Sequence, residues 1–285
     1  MNGDDGYSAL EETALRTRYR TSFGANDRTG YVITALAAAL LVFGLWHLGF
    51  SFTKFLNGLA NLGNFITLMF PPSWGDTASL LRLLKALGET VAIAFLGTML
   101  AAVIALPLSF LAANNTTVSQ ILRFFARRSF DTLRGVDTLV WALIWVNVVG
   151  LGPFAGVLAI AISDIGSFGK LFSEAIEASD RKPVEGVIAS GGSRLHAIRF
   201  GILPQVSPVL ISQYLYYFES NTRSATIIGI VGAGGIGLQL SEQIRTLEWQ
   251  TVCFIIIMIL ITVSIIDLIS TRLRIAISGN AGTTI

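Results

Sequence analysis

The chain predicts an all-α polytopic membrane protein of about six transmembrane helices. Three observations carry this. Of 285 residues, 53% are hydrophobic and only 13% charged, where a soluble domain is nearer a quarter charged. Apolar runs long enough for a helical crossing, which needs about 20 residues, recur along the chain. When these runs alternate direction, 15 of the 20 Lys and Arg residues fall on one side of the membrane, as basic residues retained on the inner face do. The net charge of +2 is too small to argue for nucleic acid as a partner. The single cysteine, Cys253, lies in an apolar run and cannot form an internal disulfide.

Residues 1–28 are polar, with Arg16, Arg18, Arg20 and Arg28, and read as an inner N-terminal segment ahead of the membrane-spanning region at 29–275. The first span covers about 31–50. Its 30-residue lead and aromatic exit argue for a retained helix rather than a cleaved signal. From Thr53 to Phe70, Phe55, Leu56, Leu59, Leu62, Ile66, Met69 and Phe70 share one helical face and Lys54, Asn57, Asn61 and Asn64 the other, an amphipathic helix expected to lie at the outer surface. Pro71-Pro72 ends it, with Trp74 suited to the interface. The second span is expected at 88–111, with Arg82 and Lys85 before it, Glu89 at its start and Pro107 kinking its far end. Residues 114–134 read as a basic inner loop. The third span takes 135–150. GLGP at 150–153 forms a tight turn with Pro153 at the first position of the fourth span, 153–172. The fifth span is expected at 205–222. Ser224 to Leu240, interrupted by five glycines, suggests a bent or re-entrant segment packed in protein. Gln243 to Gln250 follows as a polar outer loop, then the sixth span at 251–271 and a tail at 276–285. Both termini are expected inside.

The longest polar interruption of the second half is the inner loop 174–204, EAIEASDRKPVEGVIASGGSRLHAIRFGILP. It reads as a short helix, a break at Pro183, a second helix, a Gly191-Gly192 bend, then a basic helical stretch. Arg194, His196 and Arg199 are placed to snorkel or to meet lipid head groups. From Glu185 the spacing is five residues to Gly191 and eleven more to Leu203-Pro204. This resembles the EAA loop of the membrane-spanning subunits of ATP-binding-cassette (ABC) importers. Glu185, Gly191, Leu203 and Pro204 match; Gly186 and Val187 replace the two alanines, and Gly201 stands where Ile is usual. FPPSW, KLFSEAIEA, ILPQVSP and RSATIIGIVGAGGIG are similar in wording to phosphonate importer permeases, a resemblance covering about residues 30–275. It implies a type I, MetI-like permease fold, a homodimer with two copies of a separate ABC ATPase, and an external solute-binding protein. ATP and Mg would sit on the ATPase, with no cofactor in this chain. Glu185, Gly191, Gly192, Leu203 and Pro204 would form the ATPase-coupling loop. The amphipathic helix reads as a packed external helix, with part of a docking surface for a solute-binding protein as the alternative.

Other motifs are weighed on their residues. GAGGIG at 232–237 fits a dinucleotide pattern, but that pattern needs a preceding strand in a βαβ unit, and the soluble sheet is missing. There is no G-x-x-x-x-G-K-[ST], so energy input must come from a partner. No nucleophile triad, paired carboxylates or metal-ligand set occurs, so the chain carries no catalytic centre. His47 reads as an interfacial residue. Glu219 and Arg223 are spaced to pair at i, i+4; with Asn221 and exposed amides of Gly232, Gly234 and Gly235 they are candidates to line the pathway for an oxyanion. Asn147, Asp164 and Asp267 are weaker candidates, suited to helix–helix hydrogen bonds. A same-family permease for phosphate, phosphite or methionine, or a secondary transporter, are the alternatives.

Overall fold

The computed structural model describes residues 27–281, and among them every regular element is helical. Arg16, Arg18 and Arg20 fall outside the described residues. Two compact units are distinguished, divided between Ile66 and Thr67. The first contains α1 (Asp27–His47), apolar and largely exposed from Tyr31 onward, and most of α2 (Phe52–Met69), the expected amphipathic helix, which buries no residue.

The second unit is built on α3 (Thr77–Ala112), a 36-residue helix about 54 Å long at 1.5 Å per residue. It starts eleven residues before the expected span. Asp76 caps it, accepting from the Ser79 backbone N–H at 2.8 Å. Hydrogen bonds from the Ser79 side chain and backbone hold the Asp76 carboxyl below its ordinary pKa. Arg82, Lys85 and Glu89 therefore lie within the helix. They share one outward face, while Leu83, Ala86 and Thr90 are buried on the other, so these charges do not stop the helix.

The expected inner loop at 114–134 is mostly a helix, α4 (Gln120–Arg134). Its arginines are interleaved with Ile121, Phe124, Phe125 and Phe130 at helical spacing, and a single face is buried. After Gly135, α5 (Thr138–Val149) turns by 87°. With 12 residues, about 18 Å, α5 is too short to cross a membrane alone; it reaches the length and apolarity of a span only when counted together with α4. The Gly150–Pro153 turn is as expected, with φ of 92° at Gly150, 137° at Gly152 and Pro153 opening α6 (Pro153–Glu177).

After α7 (Arg181–Ala189), a short helical turn (Arg194–His196) and a π-helical stretch (Ala197–Ile202) run directly into α8 (Leu203–Ile228). No break falls near Asn221. The chain bends instead after a second π-helical stretch (Gly229–Ala233), where Gly232 and Gly234 have φ of 101° and 84°. α9 (Gly235–Arg245) leaves at 58°. Its first turn is locked by the Ile236 N–H donating to Thr90 Oγ1 at 2.8 Å. The polar loop expected at 243–250 shrinks to a few residues before α10 (Trp249–Ala281), which runs into the expected tail. Among the described residues four helices are long and apolar enough to cross a membrane, or up to six if each bent pair is one span.

The unit packs through small residues. Ala101 and Ala105 of α3 meet Phe168, Phe172 and Ile176 of α6 and Val206 and Leu210 of α8 at one end. Ile93 and Ala94 meet Ile160, Ala225 and Ile228 in the middle. Leu83 and Ala86 meet Ile236 and Ile255 at the other end. Gly169 lets the Phe130 ring lie directly on the α6 backbone. Between helices in lipid, such close approach and hydrogen bonding replace the hydrophobic drive that water supplies elsewhere.

Candidate functional site

The 174–204 loop, the candidate coupling loop, is ordered by its own polar groups. α6 ends at Glu177, and the break falls at Ala178–Asp180 rather than at Pro183. Pro183 sits in the first turn of α7, where its missing N–H has no helical partner to lose. Asp180 caps α7, accepting from the Lys182 N–H at 3.1 Å. At the far end the Gly191 N–H donates to Ile188 O at 3.0 Å and the Gly192 N–H to Val187 O at 2.9 Å. This C-terminal fold-back requires the left-handed conformation, and Gly191 has φ of 86°. Ser193 and His196 then cap the next turn reciprocally.

α7 lies back on the π-helical stretch before α8. A Cβ on Gly201 would come within 3.0 Å of Val184 Cα, so a glycine rather than an isoleucine at 201 is what lets the two backbones touch. Gln205 fastens the arrangement. Its Oε1 accepts from the Asp180 N–H at 2.9 Å, and its Nε2 donates to Asp180 O at 3.2 Å and Gly201 O at 2.6 Å. Lys182, Glu185, Gly186 and Ile188 face outward, and Glu185 lines a cavity of about 260 Å³ with Asn115, Arg181, Val184 and Ile202. Leu203 opens α8 with Pro204 in its first turn.

α4 braces the loop from the side. Glu177 Oε1 accepts from Arg123 at 3.2 Å, Arg127 at 2.8 Å and the Asn114 N–H at 2.6 Å. Asn115 Nδ2 donates to Ile176 O at 2.7 Å. Neither Gln205 nor this carboxylate was singled out by spacing. The signal for Glu177 was the Arg123/Arg127 pair four apart, visible only once 120–134 is a helix.

The second cluster joins α3, α6, α8 and α10. Asn221 Nδ2 donates to Asp164 Oδ2 and to Thr98 Oγ1. All three residues are buried, so Asn221 and Asp164 tie helices together. Glu219 forms the expected pair with Arg223 at 3.3 Å, and its second oxygen meets Arg274 at 3.2 Å. Arg274 also donates to Thr271 Oγ1 and lies over the Tyr216 ring. Its 55-residue separation from Glu219 leaves no periodic signal in the sequence. Arg223 is more than half exposed. The exposed glycine amides are not found: Gly232, Gly234 and Gly235 are buried, packed on Leu151, Pro153 and Thr90. Asn147 bonds only its own helix, at Leu143 O. Asp267 meets Thr271 one turn on. Among the described residues no group of acidic, His or Cys side chains could hold a metal. GAGGIG has no strand before it.

Residues 105–277 match the family of binding-protein-dependent transport system inner membrane components. Over 250 residues the chain is 40% identical to HtxC, a candidate phosphite transport system permease of Stutzerimonas stutzeri, covering 88% of each chain. It is 52% identical over 118 residues to PhnE2 of Escherichia coli K12, a candidate cryptic phosphonate transport system permease, covering 41% of this chain and 97% of that one. The fold is similar to that of a chain of the inward-facing MetNI methionine ABC transporter, with a TM-score of 0.62 at 18% identity, covering 71% of this chain and 99% of the other. With helices throughout, a docked α7 and these matches, the chain belongs to the binding-protein-dependent transport system inner membrane component family and is a permease subunit of an ABC importer.

Proposed function

We propose that this permease carries phosphonate-class oxyanions, working as a homodimer with two copies of a separate ATPase and one external binding protein. The observation that carries the mechanism is α7. It is a capped helix with an outward face, bound to the bundle through Val184–Gly201 contact and Gln205. A partner that grips this face moves α8 with it. Energy comes from ATP on the partner, which also holds Mg, and the pathway alternates between inward-open and outward-open states. α7 and both termini face the cytoplasm, the side where the arginines of α4 and of the 174–204 loop gather; Arg223 and Arg274 meet on one carboxylate and so do not divide between the two sides.

Phosphite and phosphonate, the solutes in the names of HtxC and PhnE2, support the substrate class. So does the Arg223–Glu219–Arg274 cluster: two guanidinium groups share one carboxylate, leaving a positive surplus that an oxyanion would balance. Arg223, the exposed member, is the candidate pathway contact. Asn221, Gly232, Gly234 and Gly235 hold the frame around it.

The test is ATPase activity of the complex in lipid with its binding protein, with phosphonates, phosphite, phosphate and methionine added in turn. Greatest stimulation by a phosphonate is expected. Greatest stimulation by another solute keeps the importer and replaces the substrate. If no ATPase copurifies and no solute stimulates, the proposed assembly with two ATPase copies falls.

A further inference from the structure

A cleft between α4 and α6 is lined by Arg127, Arg128, Phe130, Asp131, Lys170 and Ser173, with a volume of about 130 Å³. It brings three cations to one carboxylate. Arg127 is committed to Glu177 at 2.8 Å and to Ala112 O at 3.2 Å. Arg128 reaches Asp131 only at 3.5 Å and otherwise lies over the Phe124 ring. The Lys170 ammonium has no ion-pair partner among the described residues, although Lys170 is half-buried. The Ser173 hydroxyl is turned to Lys170 O.

The rim of the cleft is apolar. Ile121, Phe124 and Phe125 are 70%, 58% and 64% exposed on the adjoining face of α4. A free phosphate has no use for such a rim. A phospholipid needs both parts: cations at the depth of its phosphate and an apolar surface for its chains. The cleft opens at the coupling-loop end of the bundle, where Glu177 joins α4 to the root of α7. We propose that it holds the headgroup of an anionic phospholipid of that leaflet, with Lys170 and Arg128 on the phosphate and Phe124 and Phe125 along the acyl chains. The lipid would thereby steady α4, and through Glu177 the base of the coupling helix.

The test is native mass spectrometry of the full chain in detergent, titrated with phosphatidylglycerol and with phosphatidylcholine of the same acyl chains. The protein is expected to retain phosphatidylglycerol preferentially. Lys170→Gln and Arg128→Gln should each weaken that retention about fivefold, and Lys170→Arg should preserve it. Equal retention of the two lipids, or an unaltered preference in both Gln variants, overturns the proposal. So does displacement of phosphatidylglycerol by excess inorganic phosphate, which would make the cleft a site for the free anion. These readouts require neither the ATPase nor a transported solute.

Discussion

Gly191 has open space around its α-carbon and a φ of 86°. A side chain there meets no neighbour, so the penalty is the left-handed backbone alone, about 1–2 kcal/mol. That is too little to unfold a bundle held by three buried clusters and enough to disturb a nine-residue helix. Gly191→Asp is therefore expected to reach the membrane at normal levels and to lose most ATP-dependent uptake; full uptake would remove the loop from coupling. Gly201 is the opposite case, with an ordinary backbone and Val184 against it. Restoring the usual isoleucine there should push α7 off the bundle, measurable as faster proteolysis between 178 and 193. At Arg223, the exposed arm of the charge cluster, Arg223→Gln is expected to lower phosphonate-stimulated ATPase activity several-fold and leave basal activity in place. Unchanged stimulation would take Arg223 out of the pathway.

Elements show how far the residues alone could lead. Spans α1, α6 and α10 were legible because their apolar runs are long and carry at most isolated polar residues, such as Asp164 in α6 and Asp267 in α10. The ends of α3 and α8 were not. Arg82, Lys85 and Glu89 look like a boundary in one dimension and are one face of a helix in three. Asn221 and Arg223 likewise suggested an end to the fifth span, whereas Asn221 is spent on Asp164 and Thr98. In the 174–204 loop, Glu185, Gly191 and Leu203-Pro204 could be located by the spacing of the motif they resemble, but Gln205 could not, since two of its three bonds go to the backbone of Asp180, 25 residues away. Each of its bonds to Asp180 contributes about 1 kcal/mol. Gln205→Ala should leave basal ATPase activity running while uptake falls, a separation visible by assaying both in the same vesicles. The α4–α6 contact makes a sharper test. Gly169→Ala presses a methyl into the Phe130 ring and should cost about 1–3 kcal/mol. Combining it with Phe130→Leu is expected to recover at least about 0.5 kcal/mol relative to the sum of the single changes in thermal unfolding.

For the molecule as a whole, one length matters most. From Leu203 to Gly232 the chain rises almost without interruption as α8 and its π-helical extension, about 45 Å at helical rise. Its upper end is seated at Gly232–Gly234 against Leu151 and Pro153, where the backbone is already bent. Its lower end is bolted by Gln205 to α7. This is the geometry of a long arm on a small pivot. A tilt of about 5° at the glycine seat sweeps the coupling end through about 4 Å. Read from the other end, a 4 Å pull on α7 needs only a few degrees of yielding among the glycines, so a large stroke outside the bundle is geared down to a small, stiff adjustment within it.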